Sequence, residues 1–503
     1  MNAPPLLFLL LLLPLAAIAL IWLAPRDSDA RGAARNAALI GSFGALVCAV
    51  FVVAVFDRSV SGFQFVASVP WMPDLGARFS VGVDGISILF LPATTLLFFC
   101  AIVGTRPTWP RARLFFSLVL LLEAATLGVL IATDTLFFFA CWELTILPLY
   151  FLIRLWGVGA RCAHAAAQYA LLMLAGGIPL LFGLLMVALA GSPEGMPVFD
   201  LATLLNSALT KPLPQSQQVI VFLLLLVGFG VKAPIVPLHT WLPLIAIEGP
   251  VAVVALVAGI KLGVYGLVRF AIPLAPQAAT ELHWLLAGLG VFTLLHGALA
   301  ALVQTNLRSM LAYLGVSHVG LLLLGLASFS LSALQGVLLM TPNFALAAGG
   351  GFLIASYLQA RVASCEAQNL GGAARTLPLL ATCFLLCGLA GLGLPLTSGF
   401  AGEWLVLIAV LQTHTGAGMA ALAGVVIGAA AFLNLYRRCF FGPLLRAEVR
   451  EATDLLPRER GVVLILVLVV LAAGLWPQGL LDLTRSSAEA WLARLNPIHA
   501  VAP

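Results

Sequence analysis

The sequence predicts an all-α, polytopic membrane protein of about fourteen transmembrane helices, and three observations carry that reading. Only 9% of its 503 residues are charged and 62% are hydrophobic, whereas about a quarter of a soluble domain is charged. The chain therefore has too little polar surface to dissolve as a globule. Its apolar residues come in runs of about 20, the length that crosses a hydrocarbon core. Its basic residues gather between alternate runs, as orientation by positive charge requires.

In order, the runs lie near residues 5–23, 36–56, 84–104, 113–131, 134–155, 165–190, 217–243, 251–270, 282–303, 309–328, 333–358, 376–411, 416–437 and 461–477. The first, from Leu6 to Leu23, lacks a basic n-region and an A-x-A-like cleavage site, so it reads as a mature helix. Of the 25 lysines and arginines, 17 fall in the odd-numbered connections. Arg58, Arg78, Lys211, Arg269, Arg485 and Arg494 lie on the opposite side with both termini, which are expected to face the periplasm or its equivalent. The largest polar stretch, Arg437 to Arg460, is too short for a soluble domain. The chain divides into residues 1–112 (helices 1–3), 113–270 (helices 4–8), 271–437 (helices 9–13) and 438–503 (a loop and helix 14). The net charge of +5 reports orientation and gives no reason to expect nucleic acid. The eight cysteines are scattered, and Cys383 and Cys387 lack a second pair or nearby histidines, so neither a metal nor a disulfide framework is expected.

Helices 7 and 12 should be broken. The seventh run carries Lys232-Ala233-Pro234, Pro237 and Pro243, and the twelfth carries Gly391, Gly393, Pro395 and Gly399. Such breaks survive at membrane depth only where protein or water satisfies the freed backbone groups. Lying five spans apart, they suit two inverted five-helix repeats around a transport path. Proline kinks are also common in membrane helices, and the ionisable residue beside each break is what favours transport.

Two of three lysines sit deep in apolar runs: Lys232 and Lys261. Inserting such a charge costs at least about 2.5–3.5 kcal/mol. Taking an ammonium out of water disfavours its charged form, so a movable proton is the implied cargo; a static ion pair that fixes helix packing is the plainer reading. Glu143, Glu403 and Glu123 are the acidic candidates within runs, with Glu143 the expected partner of Lys232. Glu123 serves equally well as a hydrogen-bonding group between helices, and Asp134 reads as a helix cap. His318, in a polar patch with Ser317 and near Tyr313, is a candidate proton carrier. His296 reads as a core residue, and His239 stands evenly between loop anchor and relay.

These residues sit in motifs that resemble the antiporter-like proton-pumping subunits of respiratory complex I over nearly the whole chain. The motifs are Gly82-Val-Asp-Gly-Ile-Ser87, Trp142-Glu143, Pro148-Leu-Tyr-Phe-Leu-Ile153, Val231-Lys-Ala-Pro-Ile-Val-Pro-Leu-His239, Trp241-Leu-Pro243, Tyr265-Gly-Leu267, Leu311-Ala-Tyr313, Ser317-His318 and Gly393-Leu-Pro-Leu-Thr-Ser-Gly-Phe-Ala-Gly-Glu403. By that resemblance, Glu143 and Lys232 would be a modulating pair, Lys261 and His318 a central relay, and Glu403 the exit-side terminal group. The chain would bind no cofactor itself. NADH, flavin, iron–sulfur clusters and quinone would belong to partner subunits, and its partners would be neighbouring membrane-arm subunits and lipid of the bacterial inner membrane.

The chain also departs from the pattern. Leu244 and Ala246 stand where the family has an aspartate and a histidine, and Asn306 and Arg308 replace an aspartate and a lysine. Lys261 arrives about two residues early, which would turn it by roughly 200° on a regular helix. In the eleventh run Asn343 or Phe344 stands where a relay histidine belongs, and asparagine cannot carry the proton. Ordered water held by Asn343 is the expected bridge between His318 and Glu403. An Mrp-type cation/proton antiporter module and a non-pumping assembly paralogue are the alternative readings.

Overall fold

Lipid offers nothing to a backbone amide, so each apolar run closes its hydrogen bonds within itself and becomes a helix. The computed structural model describes residues 6–24, 30–105, 110–191 and 196–495. The chain termini, including the start of the first expected run, lie outside the described residues.

Helices α1 (Leu6–Leu23) and α2 (Ala30–Ala54) pack as a pair. An antiparallel hairpin follows, β1 (Gln64–Met72) and β2 (Ala77–Val83), which the all-helical reading did not include. It closes at Gly76, whose φ of +72° suits glycine. Next come α3 (Phe90–Gly104), α4 (Ala112–Ile131), α5 (Thr135–Leu144), α6 (Ile146–Trp156), α7 (Cys162–Ala190) and the short α8 (Leu201–Thr210). The seventh run is α9 (Gln215–Lys232) and α10 (Trp241–Glu248), broken as expected, with a cis bond at Val236–Pro237. The eighth is also interrupted, into α11 (Val251–Gly259), α12 (Leu262–Gly266), a π-helical turn (Leu267–Ala271) and α13 (Ile272–Leu274).

The second half contains α14 (Pro276–Glu281), α15 (His283–Leu302), α16 (Leu307–Ala327), α17 (Leu331–Val362) and α18 (Ala367–Leu370). The broken twelfth run is α19 (Pro378–Gly391) and α20 (Ser398–Thr413). After it come α21 (Thr415–Phe440), α22 (Ala447–Arg450), α23 (Pro457–Leu475) and α24 (Pro477–Leu495), the last bent 72° from α23.

Among the described residues, 11 helices are long and apolar enough to cross a membrane, or up to 13 if each of two bent pairs is one span. This is fewer than the fourteen runs, partly because helix α3 has only 15 residues and the halves of the twelfth run have 14 and 16. The most enclosed spans are α4, α11–α13, α16 and α17, each 89–94% buried, whereas α1 is 28% and α21 33% buried and turn apolar side chains outward. The ionisable residues lie on or against the enclosed set.

Loop contacts sort by side. Arg35 donates to the Val103 carbonyl, Trp156 to that of Pro110 and Arg308 to that of Gly249, all within odd-numbered connections. The Thr133 amide donates to the Ser80 carbonyl and the Gly85 amide to Ser487 Oγ, within the other set. One motif occurs twice. The Thr135 amide donates to the Phe199 carbonyl and the Leu201 amide to that of Thr133; likewise Leu307 donates to Cys365 and Ala367 to Thr305. Asp134 caps α5 by accepting from Leu136 and Phe137, and Asn306 caps α16 by accepting from Arg308.

Candidate functional site

The α5–α6 span is interrupted at Thr145, whose hydroxyl donates to the Trp142 carbonyl at 2.8 Å. Lys232, at the last turn of α9, reaches that interruption. Its Nζ donates to the Trp142 carbonyl at 2.9 Å and to Thr145 Oγ1 at 2.8 Å, and lies 3.8 Å from the centre of the Trp142 ring. Three uncharged groups thus solvate the ammonium. Lys232 forms no ion pair with Glu143 among the described residues. The Glu143 carboxylate lies instead against Gly177 of α7, where any side chain would collide with it, and its Oε1 is buried without a partner. Lys232 thus bonds to the residues that flank Glu143 in the chain, while the carboxylate itself is turned to α7. Sequence reasoning found both charges and missed Thr145, whose only signal was a hydroxyl two residues after Glu143.

Beside Lys232 lies a cavity of about 40 Å³, lined among others by Thr126, Thr145, Tyr169, Ile260 and Leu262. That volume exceeds the roughly 10–15 Å³ one water needs. The cavity extends to the interruption that holds Lys261. Lys261 is not on a regular helix: α11 stops at Gly259, and Lys261 has φ −88° and ψ 59°. Lys261 is thus off the regular helix on which its early arrival in the sequence would be counted as a turn. Nζ donates to the Ala258 carbonyl at 2.7 Å and faces the Gly315 carbonyl on α16 at 3.4 Å, one turn before His318. Glycine at 263 lets α12 press onto Ala233 at the end of α9.

His318 stacks on Phe344, ring centres 4.1 Å apart and 4° from parallel, with Nδ1 buried and unpartnered. Phe344 therefore occupies the place facing His318. Asn343 is turned away and spends both ends on the twelfth-run break: Nδ2 donates to the Ala390 carbonyl at 3.3 Å, and Oδ1 accepts from Ser398. It ties α19 to α20 across the break. A different connection joins His318 to Glu403: both line a cavity of about 20 Å³ with Ser317, Leu321, Gly391 and Gly424, and none of the residues lining it comes from α17. Glu403 is 7% exposed and has no hydrogen bond among the described residues. It abuts Gly393, whose φ of +67° permits the turn and whose missing side chain leaves room for the carboxylate. Leu396, at φ +76°, is a left-handed non-glycine in the same break, a conformation that costs energy and recurs at working sites.

The remaining expected residues lie apart. Glu123 faces α2, accepting from Ser42 Oγ at 2.9 Å. His239, inside the seventh-run break, stacks edge-on against His296 at 4.9 Å and lies 6.3 Å from Tyr313. Arg269, counted in a connection from the sequence, is buried and forms a two-pronged ion pair with Asp84, and its Nε donates to Tyr265 Oη at 3.2 Å. Tyr265 in turn donates to the Leu130 carbonyl. The signal was there in Tyr265 and Arg269, four residues apart on one helical face. No cluster of three or more His, Cys, Asp or Glu able to hold a metal occurs among the described residues.

Residues 132–428 match the family described as NADH:quinone oxidoreductase/Mrp antiporter, TM. The chain is 30% identical over 460 residues to "NADH-quinone oxidoreductase subunit M" of Rickettsia typhi, covering 91% of this chain and 92% of that protein. It is similar to a chain in the structure of respiratory complex I from Thermus thermophilus with bound NADH (30% identity, TM-score 0.86, 97% and 99% coverage). A chain of the Mrp complex from Dietzia shares the fold, with a TM-score of 0.84 at 23% identity over 99% and 98% of the two chains.

Proposed function

Because this chain belongs to the NADH:quinone oxidoreductase/Mrp antiporter transmembrane family, we propose that it is a membrane-arm subunit of a proton-translocating NADH:quinone oxidoreductase. In this reading it moves protons along Glu143, Lys232, Lys261, His318 and Glu403. The observation that carries the proposal is a pair of cavities along this series: one of about 40 Å³ beside Lys232, lined also by Ile260 and Leu262 on either side of Lys261, and one of about 20 Å³ lined by both His318 and Glu403. Water in them would hand a proton between groups too far apart to touch.

Lys232 is the switch. Its ammonium is held by Trp142, which precedes Glu143 in the chain, and by Thr145, two residues after it. A swing toward Glu143 would favour the charged lysine and a swing back would release its proton into the cavity. Pumping one charge against 100 mV takes about 2.3 kcal/mol, within the range a few charge contacts of low effective dielectric can supply. The His318–Glu403 cavity supports a path that bypasses the eleventh span, where Asn343 is occupied and Phe344 cannot titrate.

The duplicated loop motif at Thr133–Thr135 and Thr305–Leu307 supports inverted five-helix repeats over 113–270 and 271–437. Such repeats, with fourteen spans, would put both termini on the periplasmic side of a bacterial inner membrane. NADH oxidation, flavin, iron–sulfur clusters and quinone reduction would belong to partner subunits, and the outward apolar faces of α1 and α21 would meet lipid or neighbouring antiporter-like subunits. Proton-to-electron ratios of the reconstituted complex test the proposal. Lys232→Ala and Glu143→Ala should leave it assembled and sharply lower the ratio, and unchanged ratios in both would sink the assigned roles. Co-purification with Mrp-type subunits and no redox partner would select the antiporter module.

A further inference from the structure

Outside the proposed proton path, two histidines of the second half meet. His283 begins α15 and His414 caps α20, and their ring centres are 5.3 Å apart with planes inclined by 48°. Both are anchored. Helix α14, which leads into His283, is tied to α9 by Gln218 Nε2 donating to Gln277 Oε1 at 2.9 Å and Gln215 Nε2 donating to Glu281 Oε1 at 2.6 Å. The His414 amide donates to the Val410 carbonyl at 2.8 Å, and its carbonyl accepts from Gly418 at 2.9 Å.

The hydrogen bonds also set the tautomers. His283 Nδ1 lies 2.8 Å from the Thr280 carbonyl. A carbonyl only accepts, so Nδ1 carries the proton and Nε2 keeps its lone pair. His414 Nδ1 lies 3.0 Å from Thr413 Oγ1, whose own proton goes to the Ala409 carbonyl at 2.9 Å. That hydroxyl must therefore accept, and His414 is also protonated on Nδ1. Two half-buried imidazoles thus present Nε2 lone pairs, each braced by a donated Nδ1–H, which is how metal-ligating histidines are usually oriented.

We propose that His283 and His414 together bind one divalent transition-metal ion of the zinc or nickel class, with water completing its coordination. Two metal–nitrogen bonds of about 2.0–2.1 Å at a tetrahedral angle would put the ring centres roughly 5 Å apart, in keeping with the observed 5.3 Å. Imidazole nitrogen selects such ions over magnesium and calcium. The bound ion would clamp the α14–α15 corner to the α20–α21 turn, and α20 carries Glu403. Protons compete for the same lone pairs.

The test uses the purified, chelator-stripped complex titrated with Zn²⁺ by calorimetry, beside His283→Ala and His414→Ala. Wild type should take up one more Zn²⁺ per chain than either variant and gain a Zn²⁺-dependent rise in Tm that both lack. Mg²⁺ should not compete. Equal Zn²⁺ stoichiometry and affinity in all three proteins would overturn the proposal. Because binding is read without turnover, failure of the proton path leaves this result unaffected.

Discussion

Replacing Asn343 by histidine appears, from the sequence, to restore a missing relay group, and the structure predicts the reverse. Asn343 Oδ1 accepts from the buried Ser398 hydroxyl, and its Nδ2 donates to the Ala390 carbonyl. Ala390 keeps other donors in the amides of Leu392 and Gly393, so that loss is a net hydrogen bond of about 0.5–1.5 kcal/mol. Ser398 is stranded, at about 1–3 kcal/mol. The total is about 1.5–4.5 kcal/mol, before counting steric strain. A Cβ on Gly399 would come within 2.9 Å of Asn343 Nδ2, so the site has no spare room for an imidazole. Asn343→His should therefore destabilise the α19–α20 break and lower pumping. Phe344→His, facing His318, should instead leave the break intact and alter the pH profile of pumping. Both are read in reconstituted vesicles by proton-to-electron ratio, with thermal unfolding of the same preparations. Asn343→His that pumps faster at unchanged stability would refute the bypass and return the relay to position 343.

Arg269→Ala should destabilise the chain by about 3–5 kcal/mol by stranding Asp84 in a buried pocket, whereas the apolar pair Asp84→Leu with Arg269→Met should recover much of it; equal stability losses in both, by denaturant titration, would count against this. Gly177→Ala removes no ionisable group yet crowds the Glu143 carboxylate, so pumping should fall with assembly retained, and an unchanged proton-to-electron ratio would argue that the carboxylate's place is immaterial. A tag inserted in the Arg446–Arg460 connection should be labelled from the cytoplasm and one in the 57–62 loop from the opposite side; labelling of both from one side would refute the alternation.

The charges deep in apolar runs were legible because a bilayer makes them costly, so Glu143, Lys232, Lys261, His318 and Glu403 could be named without coordinates. The broken seventh and twelfth runs were legible through Pro234, Pro237, Gly393 and Pro395. The eighth-run break was not, because no proline marks it and Gly259 and Gly263 are as common in packed membrane helices. That break decides where Lys261 points, which the sequence left open. The contacts of Asn343 were not legible, because its partners, Ala390 and Ser398, come from a segment that only folding brings near. The burial of Arg269 went unread for a related reason: its counter-ion, Asp84, lies 185 positions away.

Helix α24 gives the molecule a schedule as well as a shape. Ser487 Oγ accepts from the Gly85 amide and donates to the Ser61 carbonyl, Ser486 donates to Arg58, Trp491 Nε1 to Val268, and Gln335 to Leu481. These tie together parts of the first half and α17 through residues separated by as many as 428 positions. A ribosome delivers those anchors long before their fastener, so the loop around Asp84 must wait, half finished, through the insertion of most of the helices between them. A nascent chain halted before residue 477 would carry the whole proposed proton path and lack the strap that ties the Asp84 loop to α17.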